Sequence, residues 1–241
     1  EYQKTRNSNH PRTFLKSFHG ICITDGYQVY HTLEQEREDL QIAGCWAHVR
    51  RRYDEALKAL PKEKRNLSTA HRGLVMIQAI YRNEKPLKEL SAEERRERRQ
   101  LSVKPLVEAY FTWVHATIGQ VMPKSKLWEG LNYSINQERY LKVFLENGNV
   151  PIDNNASERS IRSFCIGRKN FVMIDTLHGA AASAIIYSIA ETAKANGLKP
   201  YEYFELLLTE IPKHLDDDDL NFCEKLLPWS KDLPEKCRKK Q

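Results

Sequence analysis

Long apolar runs are missing from this 241-residue chain. The longest, Ala180 to Ala190, holds eleven residues and stops at Glu191. Spanning a bilayer takes roughly 20, so this stretch reads as a buried helix and a membrane role is not expected. Cysteine is sparse and scattered: Cys22, Cys45, Cys165, Cys223 and Cys237 are odd in number and form no Cys-x-x-Cys pair. That pattern excludes a disulfide framework and a four-cysteine zinc site, and it fits a reducing cytoplasm. No signal peptide or targeting segment and no internal repeat is visible. Aromatic residues are not scarce, with 4 Trp, 11 Tyr and 8 Phe in a chain that is 41% hydrophobic. A packed core is therefore expected, and global disorder is not.

Net charge is modest at +6, but its placement is uneven. Residues 55–150 carry 17 basic and 11 acidic side chains, whereas 201–241 carry 7 and 10. A basic middle segment suits a polyanion, although Lys/Arg-rich helices are commonly just solvated.

The pattern along the chain alternates. Residues 1–6 read as a strand end, and a helix opens at Asn9-His10-Pro11. Gly20 to Thr24 is a short β-branched run that ends in Asp25-Gly26, as a buried strand delivering an Asp would. A helix follows from Tyr27. Leu40 to Cys45 reads as a second strand, with a basic helix from Trp46. From Tyr53 to Asn147 the chain is helical and charged. Ser91-Ala92-Glu93-Glu94 has the form of a capping box, and Leu106, Tyr110, Trp113, Val114 and Thr117 mark one apolar helix face. A further helix starts at Asp153 or Asn154 and is expected to end at Gly167. Phe171 to Ile174 reads as a strand, and Ala180 to Asn196 as a long helix closed by Gly197. This order predicts an α/β domain interrupted by an all-helical insertion. Its expected parts are 1–54, the insertion 55–150, a second catalytic part 151–199, and a helical tail 200–241.

Three constellations could carry chemistry. Asp25 would sit at the carboxyl end of a buried strand, where open α/β sheets hold ligands; the plain alternative is an Asp-Gly turn. Ile152 to Arg162 gathers Asp153, Asn154, Asn155, Glu158, Arg159 and Arg162 at a helix start, with Arg168 and Lys169 beyond it. Its plain alternative is a capped helix with an i,i+4 Glu–Arg pair. Two carboxylates from distant parts of a chain are what two-metal phosphoryl transfer requires, normally with a third. The third constellation is Cys45-Trp46-Ala47-His48, either half a metal site without a second pair or a buried Cys beside a hydrogen-bonded His.

Taken together, several segments resemble the transposases of the insertion sequence sixty-six family. They are Ile23-Thr24-Asp25-Gly26-Tyr27, Ala43 to Arg51, Ile152 to Arg162, Gly167 to Phe171, Tyr187 to Leu198, and Leu226-Leu227-Pro228-Trp229. The resemblance runs from the first residues to Trp229. It implies a ribonuclease H-like catalytic fold, truncated at its N-terminus, and DDE chemistry with Mg²⁺ or Mn²⁺. Asp25 would be the second acidic residue and Glu158 the third, both catalytic and metal-binding. Cys45, His48, Asn154, Asn155, Arg159 and Arg162 would support them. Arg50, Arg51, Arg52, Arg168 and Lys169 would contact DNA.

No acidic residue lies between Tyr2 and Thr24, so nothing there can stand in for the family's first Asp. The expectation is a transposase fragment, inactive alone, whose intact form cuts transposon ends and joins them to target DNA. It would work in the bacterial cytoplasm, beside the nucleoid, as a homo-oligomer assembled on DNA. The alternatives are a non-catalytic DNA-binding or assembly remnant of such an enzyme, and a metal-dependent nuclease of the same fold.

Overall fold

Gly20 to Thr24 and Leu40 to Gly44 are extended for a reason visible in their burial. Their apolar side chains alternate between two hydrophobic clusters, one on each face of the strands. In the computed structural model, which describes residues 3, 5, 7–171, 174–217 and 219–239, they form strands β1 (Gly20–Thr24) and β2 (Leu40–Gly44). The pair is parallel, with Gly20 opposite Leu40 and Thr24 opposite Gly44. Cys22, Leu40 and Ile42 pack into a small cluster with Leu15, Leu33 and Tyr140. Ile21, Ile23 and Ala43 face the larger core. The crossover between the strands is helix α2 (Gln28–Glu36), preceded by α1 (Asn9–Phe14).

Most of the remaining described chain is helical. Helices α3 (Trp46–Lys58), α4 (Thr69–Glu84), α5 (Ala92–Arg98), α6 (Lys104–Ile118) and α7 (Lys126–Lys142) follow β2. The expected capping box at Ser91 is present, with both reciprocal bonds to Glu94. A π-helical stretch, Arg99–Val103, links α5 to α6. Pro105 follows it, and a proline lacks the N–H that an ordinary helical turn would use, so the widened turn accommodates it. Then come α8 (Asn155–Phe171), α9 (Leu177–Ala195), α10 (Pro200–Glu210) and the short α11 (Cys223–Leu226).

Two expectations about the second half need correction. Helix α8 does not end at Gly167 but runs through it to Phe171; glycine costs a helix interior only about 1 kcal/mol, which neighbouring residues can offset. Phe171 therefore closes a helix rather than opening a strand, and 172 and 173 lie outside the described residues. Residues 1, 2, 4 and 6 of the strand end expected over 1–6 also lie outside them. The architecture is mostly helical with one small two-stranded parallel sheet.

Two compact units divide the chain, the first Asn7–Ser157 and the second beginning at Glu158. The first unit has one large core. Trp46, Val49 and Tyr53 of α3 pack there with Ile77 and Ile80 of α4, Tyr110 and Val114 of α6, and Leu131 and Leu141 of α7. Several polar atoms inside it are paired. The Trp46 indole donates to the Leu141 carbonyl at 2.9 Å. Tyr110 donates to Tyr53 at 3.1 Å and lies 2.7 Å from the Ser134 hydroxyl. Burial pushes the Tyr53 hydroxyl up to about 12. The second unit has a smaller core of Ala193, Leu198, Tyr203 and Leu233. In it, Phe164 of α8 meets Tyr187 of α9 edge to face at 5.2 Å.

Candidate active site

Parallel pairing with Thr24 opposite Gly44 brings Asp25 and Cys45 to the same carboxyl edge of the sheet, each one residue past its strand. Asp25 is exposed, and its Oδ1 accepts the Tyr27 N–H at 3.1 Å. Its backbone carbonyl accepts the Tyr133 hydroxyl at 2.8 Å. Between them Gly26 has φ +86°, and a Cβ there would lie 2.9 Å from Cδ of Gln137. Only glycine suits both that backbone conformation and that approach.

Asp25 opens into a cleft of about 630 Å³ lined also by Tyr27, His31, Arg52, Tyr133, Asn136, Gln137 and Tyr140. Helix α7, from the basic middle segment, supplies its far wall. Beside it the buried Gln137 side chain acts on the His31 imidazole as a hydrogen-bond partner. The His31 ring stacks on Tyr140 at 3.9 Å, and burial lowers its pKa, keeping the imidazole neutral. His31, Tyr133 and Gln137 carry no motif in the sequence. Only their shared surroundings with Asp25 single them out.

Cys45 is fully buried. Its Sγ donates to Oδ1 of Asn154 at 3.0 Å and accepts the Asn154 N–H at 3.5 Å. Burial pushes the thiol pKa up, so it stays protonated and able to donate. Next to it the Trp46 N–H donates to the Ile152 carbonyl at 3.2 Å. Asp153 accepts the Tyr81 hydroxyl at 2.9 Å and the Asn155 N–H at 3.1 Å. The segment 152–155 is thus clamped to the end of β2 and to α4. His48 sits half-buried on the first turn of α3, where its backbone N–H donates to the Cys45 carbonyl at 3.2 Å.

Glu158 lies on the first turn of α8, where the helix dipole favours a carboxylate. Arg159 and Arg162 are exposed on the same helix. Arg168 and Lys169 belong to α8, but their side chains lie outside the described residues. The run Arg50-Arg51-Arg52 does not act as one patch, because helical residues turn about 100° each. Arg52 lines the Asp25 cleft and lies 4.2 Å over the Tyr133 ring. Arg50 instead lines a second cleft, on the α4 side. Arg51 is exposed.

Among the described residues no group of three or more His, Cys, Asp or Glu side chains is arranged to hold a metal ion. The donors at Asp25 nonetheless suit Mg²⁺, which keeps most of its waters and needs only one or two carboxylates. Asp25 presents such a carboxylate, exposed in a polar cleft.

With this geometry in place, comparison with known proteins defines the class. Residues 1–182 match the transposase IS66 family, and 188–229 match the IS66 C-terminal element. The chain belongs to the IS66 transposase family. Similar proteins include three uncharacterized proteins of Sinorhizobium fredii (strain NBRC 101917 / NGR234). Protein y4qI is 30% identical over 90% of this chain and 40% of its own length. Protein y4jD is 27% identical over 95% and 44%, and y4hP 27% over 93% and 42%. The chain therefore spans about two fifths of these relatives. No solved structure matches it. Among the described residues no helix is long and apolar enough to cross a membrane.

Proposed function

We propose that this chain carries metal-binding residues of a DDE transposase with a ribonuclease H-like catalytic fold, and that the full-length protein cuts transposon ends and joins them to target DNA. The observation that carries this reading is the placement of Asp25. It stands at the carboxyl edge of a half-buried parallel strand, with an open carboxylate in a polar cleft. The pairing of Asp25 with Glu158 rests on family membership and on the order of the motifs.

Bound divalent ions, Mg²⁺ or Mn²⁺, would supply Lewis acidity for phosphoryl transfer. Asp25 and Glu158 would hold them, with a third carboxylate completing the set. The tight Asp25-Gly26 turn, fixed by Tyr27 and Tyr133, keeps the carboxylate aimed without a rotamer search. Cys45 and Asn154 would act as positioning residues, fixing the chain just ahead of the helix that bears Glu158. His48, Asn155, Arg159 and Arg162 would support the same helix start. Arg51, Arg52, Arg168 and Lys169 would meet DNA phosphate, which positions a duplex without reading its sequence. Assembly as a homo-oligomer on DNA, in the bacterial cytoplasm, belongs to this reading.

Mn²⁺ titration followed by electron paramagnetic resonance tests it on the full-length protein. Asp25→Asn and Glu158→Gln should each weaken binding by about tenfold or more, since each removes a charged hard ligand. Unchanged Mn²⁺ affinity in both variants would overturn the assignment. An assembly remnant, the second reading, would bind transposon DNA and yet show no Mn²⁺ site in the full-length protein.

A further inference from the structure

A second cleft, of about 630 Å³, opens on the α4 side of the first unit. It is lined by Arg50, Arg82, Lys85, Lys88, Arg95 and Arg99, against only Glu84 and Asp153. Not all of these charges are available. Arg99 and Glu84 form a closed, buried ion pair. Arg95 spends its guanidinium on the carbonyls of Leu87, Lys88, Leu90 and Gly148. Asp153 accepts from Tyr81 and from the Asn155 N–H. What remains is Arg50, Arg82, Lys85 and Lys88, all exposed, facing one carboxylate whose oxygens already accept hydrogen bonds.

Their spacing is the second observation. Gln78, Arg82 and Lys85 lie at i, i+4 and i+7 along α4 and the 3₁₀ turn Lys85–Glu89 that extends it, and Lys88 follows one 3₁₀ turn later. Like charges at such spacing repel by a few tenths of a kcal/mol per pair. Among the described residues no ion pair or side-chain hydrogen bond relieves these four side chains. An anionic ligand in the cleft would.

We infer that this cleft binds the phosphodiester backbone of duplex DNA, through Arg50, Arg82, Lys85 and Lys88. The choice of DNA among polyanions rests on the transposase reading; the anion site itself rests on the cleft. In the chain, the cleft-wall residues Pro151, Ile152 and Asp153 come just before α8. The basic middle segment thereby gains a defined DNA-facing surface, which its average charge could not locate.

The test is fluorescence anisotropy with a duplex of arbitrary sequence, measured over a range of salt concentrations. The variant is Arg82→Gln/Lys85→Gln/Lys88→Gln, and its charge-matched control is Lys16→Gln/Lys62→Gln/Lys64→Gln, all at exposed positions. Each lost phosphate contact lowers the salt slope by about one, so the variant's slope should fall by about 2–3 and its affinity by about tenfold or more. The control should stay near wild type. Equal weakening of variant and control would overturn the site in favour of bulk charge, and so would an unchanged variant. Unchanged DNA binding with lost binding of polyglutamate would overturn DNA in favour of an acidic peptide. The same variant should keep wild-type Mn²⁺ affinity, so failure of the cleft and failure of the metal site give different results.

Discussion

At the residue scale, Cys45 shows how a motif acquires a physical role. Cysteine is a small, buriable group with a weak donor, and at this strand end it meets Asn154 with both its donor and its lone pair. Cys45→Ala should cost about 1 kcal/mol, the worth of a typical intramolecular hydrogen bond, read by urea denaturation. Cys45→Ser, which keeps a donor, should recover part of that loss. His31 makes a second, pH-dependent case. Burial lowers its pKa below the ordinary 6.5 more than Glu34, the Gln137 hydrogen bond and Asp25 raise it, with Arg139 adding to the lowering. The unfolded chain therefore takes up a proton below about pH 6.5 that the folded chain refuses, and stability falls as pH falls through that range. His31→Phe keeps a ring against Tyr140 and removes the titration. Its melting temperature should drop less than wild type between pH 7 and 5.5, and equal drops would contradict the assignment. Asp25, Glu158 and Cys45 were legible as motif residues. His31 and Gln137 were not, because their significance is a shared cleft formed by α2 and α7, and a linear pattern holds no trace of that meeting.

At the scale of elements, the charged middle segment is more than a solvated block. Arg99 is almost fully buried, with Glu84, the Phe144 and Asn147 carbonyls and the Phe144 ring around it. It ties α4 and the π-helical turn to the chain after α7. The alternation Glu93 to Arg99 reads as a solvated face, and most of it is exposed; its last member is the exception, since one helix face must meet the core. Removing one partner strands a buried charge, so Arg99→Ala or Glu84→Ala should each destabilise the protein by about 3–5 kcal/mol in chemical denaturation. A loss under about 1 kcal/mol would mean that the charges are hydrated. Close approach fixes another junction. A Cβ on Gly148 would lie 1.8 Å from the Ala92 carbonyl oxygen, so Gly148→Ala should force the two segments apart and lower the melting temperature by several degrees. Both strands, the capping box at Ser91 and the apolar face of α6 were legible from periodicity and caps, whereas α4 and α7 were not told apart within a block read only as helical. The end of α8 was not legible either, because Gly167 carries the sign of a stop while the helix continues through it.

For the whole molecule, the division into compact units falls at Ser157 and Glu158, inside the first turn of α8. Composition shifts instead at 150/151, where charge and pattern change. Charge and periodicity follow local sequence, whereas compactness follows which side chains share a core. Ala43, Trp46 and Val49 share theirs with Leu131 and Leu141 of α7, far along the chain. Family membership covers both units, and the relatives extend well beyond the span matched here. The claim on which the account turns is that Asp25 and Glu158 serve one phosphoryl-transfer site. It is tested most directly by joining of a transposon-end 3′ hydroxyl to target DNA, by the full-length protein, with Mg²⁺. Asp25→Asn and Glu158→Gln should each reduce joining by about a hundredfold or more while DNA binding and melting temperature stay near wild type. Joining at wild-type rate by either variant would contradict the account.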